Sequence, residues 1–261
     1  AKGGSMEMLN VNDTMIADEI SRLNEMQRLF TLQKDKYLQS PYPTSADRIQ
    51  TLKKLKQAIL NFQEPLIAAL NTDFGCRSRD DSLMGDIMPS VAAVNYSIKR
   101  IKKWMKPQRR HVNTMFLPAR AKVIYQPLGV VGIIVPWNYP VFLALGPLVT
   151  ALASGNRAMV KMSEFTPNTN QVFKALIESC FDESEVTVIE GEANIAAKFS
   201  SLPFDHLLFT GSTQVGKHVM RSASENLTPV TLELGGKSPA LIAPDMPPKT
   251  AVQRLLWGKT L

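Results

Sequence analysis

Apolar positions in the first third of the chain recur at helical spacing. Met15, Ile16, Ile20, Leu23, Met26, Leu29 and Phe30 share one side of a helix, which predicts a segment from an Asp13 N-cap to about residue 38. The break Pro41-Tyr42-Pro43 and a Ser45 cap introduce a second helix with Ile49, Leu52, Leu55 and Ile59 on one face. A short helix is expected over 64–71 and a longer one over 82–105, ended by Pro107. Residues 112–126 alternate loosely and suggest a hairpin or arm. Five short apolar runs follow, at 130–135, 158–162, 186–189, 206–210 and 230–234, and read as strands. Helical stretches over 144–153, 169–180, 194–200 and 215–226 separate them. Strand and helix in alternation predict an α/β fold with an open parallel sheet, whose ligands sit at the carboxyl ends of the strands.

Composition changes this picture little. The 261 residues suffice for a substantial core, and 44% hydrophobic with 20% charged residues is ordinary for a soluble globular protein. No charge occurs from Gln126 to Asn156, which raises the question of a membrane span. Pro136, Pro140 and Pro147, with Gly129, Gly132 and Gly146, interrupt the stretch, whereas a span needs roughly 20 continuous helical residues. A buried strand, loop and short helix is the expected reading, with no membrane partner.

The net charge of +7 is concentrated in one place. Lys99, Arg100, Lys102, Lys103, Lys106, Arg109 and Arg110 account for the whole excess of 30 basic over 23 acidic residues. Such a run can bind nucleic acid, or it can be a solvated helix end with favourable charge at its C-terminus. No zinc-finger or RRM signature accompanies it, so the second reading is preferred and no nucleic-acid partner is expected. Cys76 and Cys180 form no paired motif, which points to a reducing, cytoplasmic compartment. Residues 1–5, before Met6, read as an added leader rather than a secretory signal, since no apolar core follows.

Four blocks carry candidate chemistry. In Phe209-Thr-Gly-Ser-Thr-Gln-Val-Gly-Lys217 an apolar strand ends in a glycine turn that opens a helix, so free N–H groups and the helix dipole face an anion. Gly211 and Gly216-Lys217 nearly satisfy a P-loop, but His218 stands where the magnesium-binding hydroxyl belongs. GxGxxG is absent as well. In Thr231-Leu-Glu-Leu-Gly-Gly-Lys-Ser-Pro239, Glu233 is the only acid in a stretch built for burial. Desolvation there would suit it to general-base work; a carboxylate turned to solvent on an edge strand is the equal alternative. In Val130–Pro140, Asn138 is fixed between aromatics and prolines, as an oxyanion donor or as a cap for the following helix. Val160-Lys-Met-Ser-Glu164 puts Lys161 at a strand end and Glu164 in the next loop, where α/β folds grip ribose hydroxyls.

In this order and spacing the blocks resemble the aldehyde dehydrogenase superfamily from about residue 41 to 261, with PWNYP and LELGGKSP the most specific motifs. DFGCRSR and PLGVVGIIVPWNYPVFLALGPLV look most like its coniferyl aldehyde dehydrogenase branch. The resemblance implies an N-terminal helical part (1–106), an oligomerisation arm (107–126), a cofactor-binding α/β domain (127–235) and the start of a catalytic domain (236–261). It implies an aldehyde substrate, NAD as cofactor with NADP possible, and a homodimer or higher homo-oligomer. It casts Asn138 as oxyanion donor and Glu233 as activator of the deacylating water. Lys161 and Glu164 would hold the ribose. Gly211, Ser212 and Gly216 would take the pyrophosphate, Val215 the adenine, and Trp137 and Leu234 the nicotinamide. In such enzymes a cysteine thiolate attacks the aldehyde. Neither cysteine here sits in that context, so the chain alone is expected to be inactive; a non-catalytic nucleotide-binding or interaction module is the alternative.

Overall fold

The computed structural model describes the backbone of residues 4–260 and the side chains of residues 19–259. Helix α1 (Gly4–Gln39) runs straight through residue 13, so Asp13 does not mark its start. Positions 15 and 16 lie outside the described side chains. Leu23, Met26, Leu29 and Phe30 fall on the buried side, as expected from their spacing, while Ile20 is exposed. Helix α2 (Ser45–Asn61) begins at its predicted cap, and the capping residue is Thr44, one position earlier. Thr44 accepts from the Asp47 N–H and Asp47 reaches back to Thr44, a capping box. Helix α3 (Gln63–Phe74) follows directly.

The predicted helix from residue 82 is not a single α-helix. A short α4 (Arg79–Ser82) passes into a π turn (Leu83–Ile87) and then into α5 (Met88–Trp104). Pro89 is the physical reason: it has no N–H to donate, and its ring crowds the carbonyl four residues back. The expected arm is a two-stranded hairpin, β1 (Gln108–Arg110) against β2 (Ala121–Val123). Arg109 and Arg110 therefore lie on a strand rather than on the helix end.

All five predicted strands form one parallel sheet. They are β3 (Val130–Ile134), β4 (Arg157–Lys161), β5 (Val186–Ile189), β6 (His206–Gly211) and β7 (Val230–Leu234). Their order is β5-β4-β3-β6-β7, so the chain moves outward from β3 on one side and then returns to its other side. The connecting helices are α6 (Pro140–Ala153), α7 (Pro167–Glu178), α8 (Ala193–Ser200) and α9 (Thr213–Ser224). On one face Val131, Ile133, Ala158, Val160 and Val188 pack with α2, α5, α6 and α7. On the other, Val130, Ile134, Met159, Leu207 and Phe209 pack with α1, α8 and α9. After β7, residues 235–247 form no helix or strand and are mostly exposed, up to α10 (Pro248–Thr260).

Strand β3 is buried along its whole length and its entry is pinned by polar groups. Asp205 accepts from the Val130 N–H at 2.8 Å and pairs with Lys34 at 2.6 Å. Asn156 accepts from the Leu128 and Gly129 N–H groups at 2.6 and 3.0 Å. From α1, Gln33 donates to the carbonyls of Ala158 and Glu183 at 3.1 and 3.0 Å. Substituting Asp205→Ala should cost about 2–3 kcal/mol in urea unfolding, because a charge-assisted hydrogen bond to a strand N–H is lost; a change below about 0.5 kcal/mol would contradict this role.

Candidate active site

Because β3 pairs with β6, and β6 with β7, all in parallel, three carboxyl ends lie side by side. From β3 the chain leaves through Val135-Pro136-Trp137-Asn138-Tyr139 into α6. From β6 it turns at Gly211-Ser212 into α9, and from β7 it runs into Gly235-Gly236. A cavity of about 1090 Å³ extends along the sheet face beside α6, and Trp137, Asn138, Gly211, Ser212, Glu233 and Leu234 line it. His206, Leu208 and Thr231 continue the lining along the same face. Six of the ten predicted site residues thus share one cavity. Val215 and Gly216 lie in the first turn of α9, and Lys161 and Glu164 lie at the end of β4, on the far side of β3; none of these four lines the cavity.

The α9 turn has the form expected of an anion site. The Ser212 hydroxyl accepts from the Val215 N–H at 3.3 Å, leaving other first-turn N–H groups and the positive end of a 12-residue helix directed outward. Gly216 allows α9 to rest on β7: a Cβ there would come within 2.8 Å of the Leu234 side chain. Around Gly235 and Gly236 there is open space, so a ligand or another backbone can approach.

For two residues the geometry decides between alternatives that the sequence left open. Of the two readings of Glu233 it is the solvent-facing one that holds: β7 is the edge strand and the carboxylate is exposed. No helix covers this end of the sheet face among the described residues. Asn138 does not cap α6: Tyr139 takes the N-cap position, and the Asn138 side chain makes no hydrogen bond within the chain among the described residues. Lys161, at the strand end as expected, is buried, and its ammonium donates to the Met162 carbonyl at 2.6 Å. Burial lowers its pKa despite the opposing pull of Glu164, Glu192 and Glu190. Glu164 is half-buried in the loop beyond.

What holds the Asn138 loop was missed at the sequence level. Arg77 donates to the Asn138 carbonyl at 2.6 Å and to the Asp86 carboxylate at 3.3 Å. Its guanidinium lies over the rings of Phe74 (3.8 Å) and Tyr139 (4.9 Å). Asp86, fully buried in the π turn, accepts from the Phe142 N–H at 2.8 Å, in the first turn of α6. From the same DFGCR segment, Asp73 accepts from Thr169 N–H at 2.7 Å and Asn168 N–H at 3.1 Å, capping α7. The only available signals were an acid beside Gly85 in an otherwise apolar run and Pro89 within a predicted helix.

The two cysteines stand apart from this cavity. Cys180 donates its thiol to the Leu176 carbonyl at 3.4 Å, and burial pushes its pKa up to about 11. Cys76 is exposed in the loop after α3. Neither lines the cavity.

Comparison with known proteins decides the family. The profile described as "Aldehyde dehydrogenase family" matches residues 36–261. The chain belongs to the aldehyde dehydrogenase family. Within that family, a probable coniferyl aldehyde dehydrogenase of Pseudomonas aeruginosa is 54% identical over 239 residues, covering 92% of this chain and 50% of that protein. A coniferyl aldehyde dehydrogenase of a Pseudomonas species is 48% identical over 213 residues, covering 82% and 44%. The substrate-bound state of Staphylococcus aureus AldH superposes with a TM-score of 0.85 at 36% identity, covering 89% of this chain and 51% of that one. A Staphylococcus aureus betaine aldehyde dehydrogenase solved with NAD+ gives a TM-score of 0.80 at 27% identity, covering 90% and 47%. The chain therefore spans about half the length of these relatives. No helix among the described residues is long and apolar enough to cross a membrane, in line with the proline-broken reading of 126–156.

Burial holds the Asp86 carboxyl up at about 6, against the lowering pull of the Phe142 N–H, Arg77 and the Val141 N–H, in that order. Between pH 4 and 6 the folded state thus keeps a proton that the unfolded chain releases, so stability from this group falls as pH rises through that window and then levels. In urea unfolding, the stability of the wild type relative to Asp86→Asn should drop by on the order of 2 kcal/mol from pH 4 to pH 6. A difference that stays flat across the window would contradict the assignment.

Proposed function

We propose that this chain is the N-terminal, cofactor-binding part of an NAD-dependent, cytoplasmic, homo-oligomeric aldehyde dehydrogenase that oxidises coniferyl or a related aromatic aldehyde to its carboxylic acid. The observation that carries the reading is a single cavity lined by both Asn138 and Glu233, next to the capped N-terminus of α9. High identity to coniferyl aldehyde dehydrogenases supports the substrate class.

The residues present fit a dinucleotide. The first turn of α9, with Gly211, Ser212 and Gly216, offers N–H groups and a positive dipole end to a pyrophosphate. Val215, exposed on the same turn, offers an apolar surface to adenine, and Trp137 and Leu234 flank the nicotinamide end of the cavity. Glu164 meets the ribose hydroxyls, and its charge opposes a 2′-phosphate, which favours NAD over NADP. Lys161 joins that contact by exchanging its bond to the Met162 carbonyl. When bound, the nicotinamide supplies the hydride acceptor.

The Asn138 amide then donates to the oxygen that becomes negative as the aldehyde is attacked. Glu233 accepts a proton from the water that releases the acid. Neither Cys76 nor Cys180 is assigned as nucleophile, so the 261-residue chain alone is proposed to have no turnover.

Full-length enzyme supplied with coniferyl aldehyde and NAD+ should produce NADH, and Asn138→Ala should lower kcat by about 10²–10³-fold, the range for losing one oxyanion donor. Residues 1–261 alone should produce none. Sustained NADH formation by the isolated chain, or an unaffected Asn138→Ala enzyme, would overturn the reading.

A further inference from the structure

The loop that carries Asn138 is held from outside the sheet by groups far away in sequence. Arg77 lies 61 residues before Asn138, and Asp86 lies 56 residues before Phe142. The two contacts hold the chain as it leaves the critical residue for α6. Arg77 fixes the carbonyl of Asn138 itself, and Asp86 fixes the N–H of Phe142, four residues on. Arg77 also bridges to Asp86, so the pair closes a ring of contacts around the peptide groups between them.

The surroundings leave this ring little freedom. The Tyr139 ring lies under the Arg77 guanidinium and against Gly85, where any Cβ would collide with it. The Phe74 ring also lies against the Arg77 guanidinium and meets Trp137 at 6.3 Å between ring centroids. The π turn supplies both Gly85 and Asp86; its extra residue places a small position against the ring and an acid beneath α6. The Asn138 side chain is exposed and lines the cavity. A short exposed amide would gain most from anchoring through its own main chain, since nothing else among the described residues orients it.

We propose that Arg77 and Asp86 are positioning residues of the dehydrogenase: by clamping the Asn138 carbonyl and the Phe142 N–H, the two ends of the turn into α6, they fix the direction in which the Asn138 amide enters the cavity. This assignment rests on the oxyanion role proposed above for Asn138. An oxyanion donor works only when aimed where charge develops, and misplacement by about 1 Å costs on the order of 10²-fold. The clamp therefore acts on kcat, and it leaves the α9 anion site, on a different loop, unaltered.

Steady-state kinetics of the full-length enzyme with an aromatic aldehyde and NAD+ test this, in a cycle of Arg77→Met, Asn138→Ala and the double variant. Arg77→Met is expected to lower kcat about tenfold or more while the KM for NAD+ moves less than about threefold. Asp86→Asn, which keeps a neutral acceptor, should lower kcat by a smaller factor. In the Asn138→Ala background, Arg77→Met should lower kcat by less than about twofold, because the amide it aims is gone. Losses that multiply independently, an unchanged kcat, or a loss carried mainly by the NAD+ KM would overturn the proposal. If Arg77→Met does not accumulate as folded protein, Arg77→Lys carries the same cycle, with an intermediate fall in kcat. Amide hydrogen exchange over residues 139–142 gives a readout independent of turnover: it should quicken in the Arg77 variants, and unchanged exchange would overturn the clamp. A wild-type enzyme without aldehyde-dependent NADH production would instead sink the functional reading on which the clamp's purpose rests.

Discussion

The structure depends on one strand being paired on both sides. Strand β3 is hydrogen-bonded in parallel to β4 on one flank and to β6 on the other, so connections on the two sides must leave in opposite directions. That reversal opens a crevice at the carboxyl ends of β3 and β6, where neither loop can cover the other. Asn138 follows β3 and Ser212 follows β6, which is why two residues 74 positions apart by number (212 less 138) line one cavity. The cost of holding β3 in the middle is complete burial, so every main-chain group at its entry has to find a partner. Asp205 and Asn156 supply those partners, and Gln33 and Lys34 tie α1 to the same edge.

A second layer sets the precision of the site. The DFGCR segment reaches two neighbouring loops at once: Asp73 caps α7 beyond the Lys161–Glu164 loop, while Arg77 holds the Asn138 carbonyl. Both contacts are ionic groups on main-chain polar atoms, stronger and more directional than neutral hydrogen bonds. The fully buried Asp86 costs desolvation, and its three favourable contacts offset only part of it, which is visible in its raised pKa.

How much of this was legible follows from the range of each interaction. Strands β3 to β6 are largely apolar because helices cover both faces, and that shows as short runs dominated by Val, Ile, Leu, Met and Phe. Gly211 and Gly216 announced the α9 turn because their chemistry is local. Glu233 stayed open between burial and exposure because edge or centre is a property of neighbours: the same TLEL would be buried with one more layer over it. The π turn was hidden because Pro89, inside the predicted helix, signals a break without saying its form, and only the structure places it in the first turn of a new helix, α5. Arg77 and Asp86 act across more than 50 residues, and no periodicity reports such a pairing.

The central claim is that the crevice flanking β3 is a dinucleotide site built on the first turn of α9. Hydrogen–deuterium exchange of the full-length protein with and without saturating NAD+ tests it most directly. The account predicts slowed exchange over residues 211–216 and 161–165, with α2 unchanged; exchange at 211–216 that is indifferent to NAD+ would contradict it.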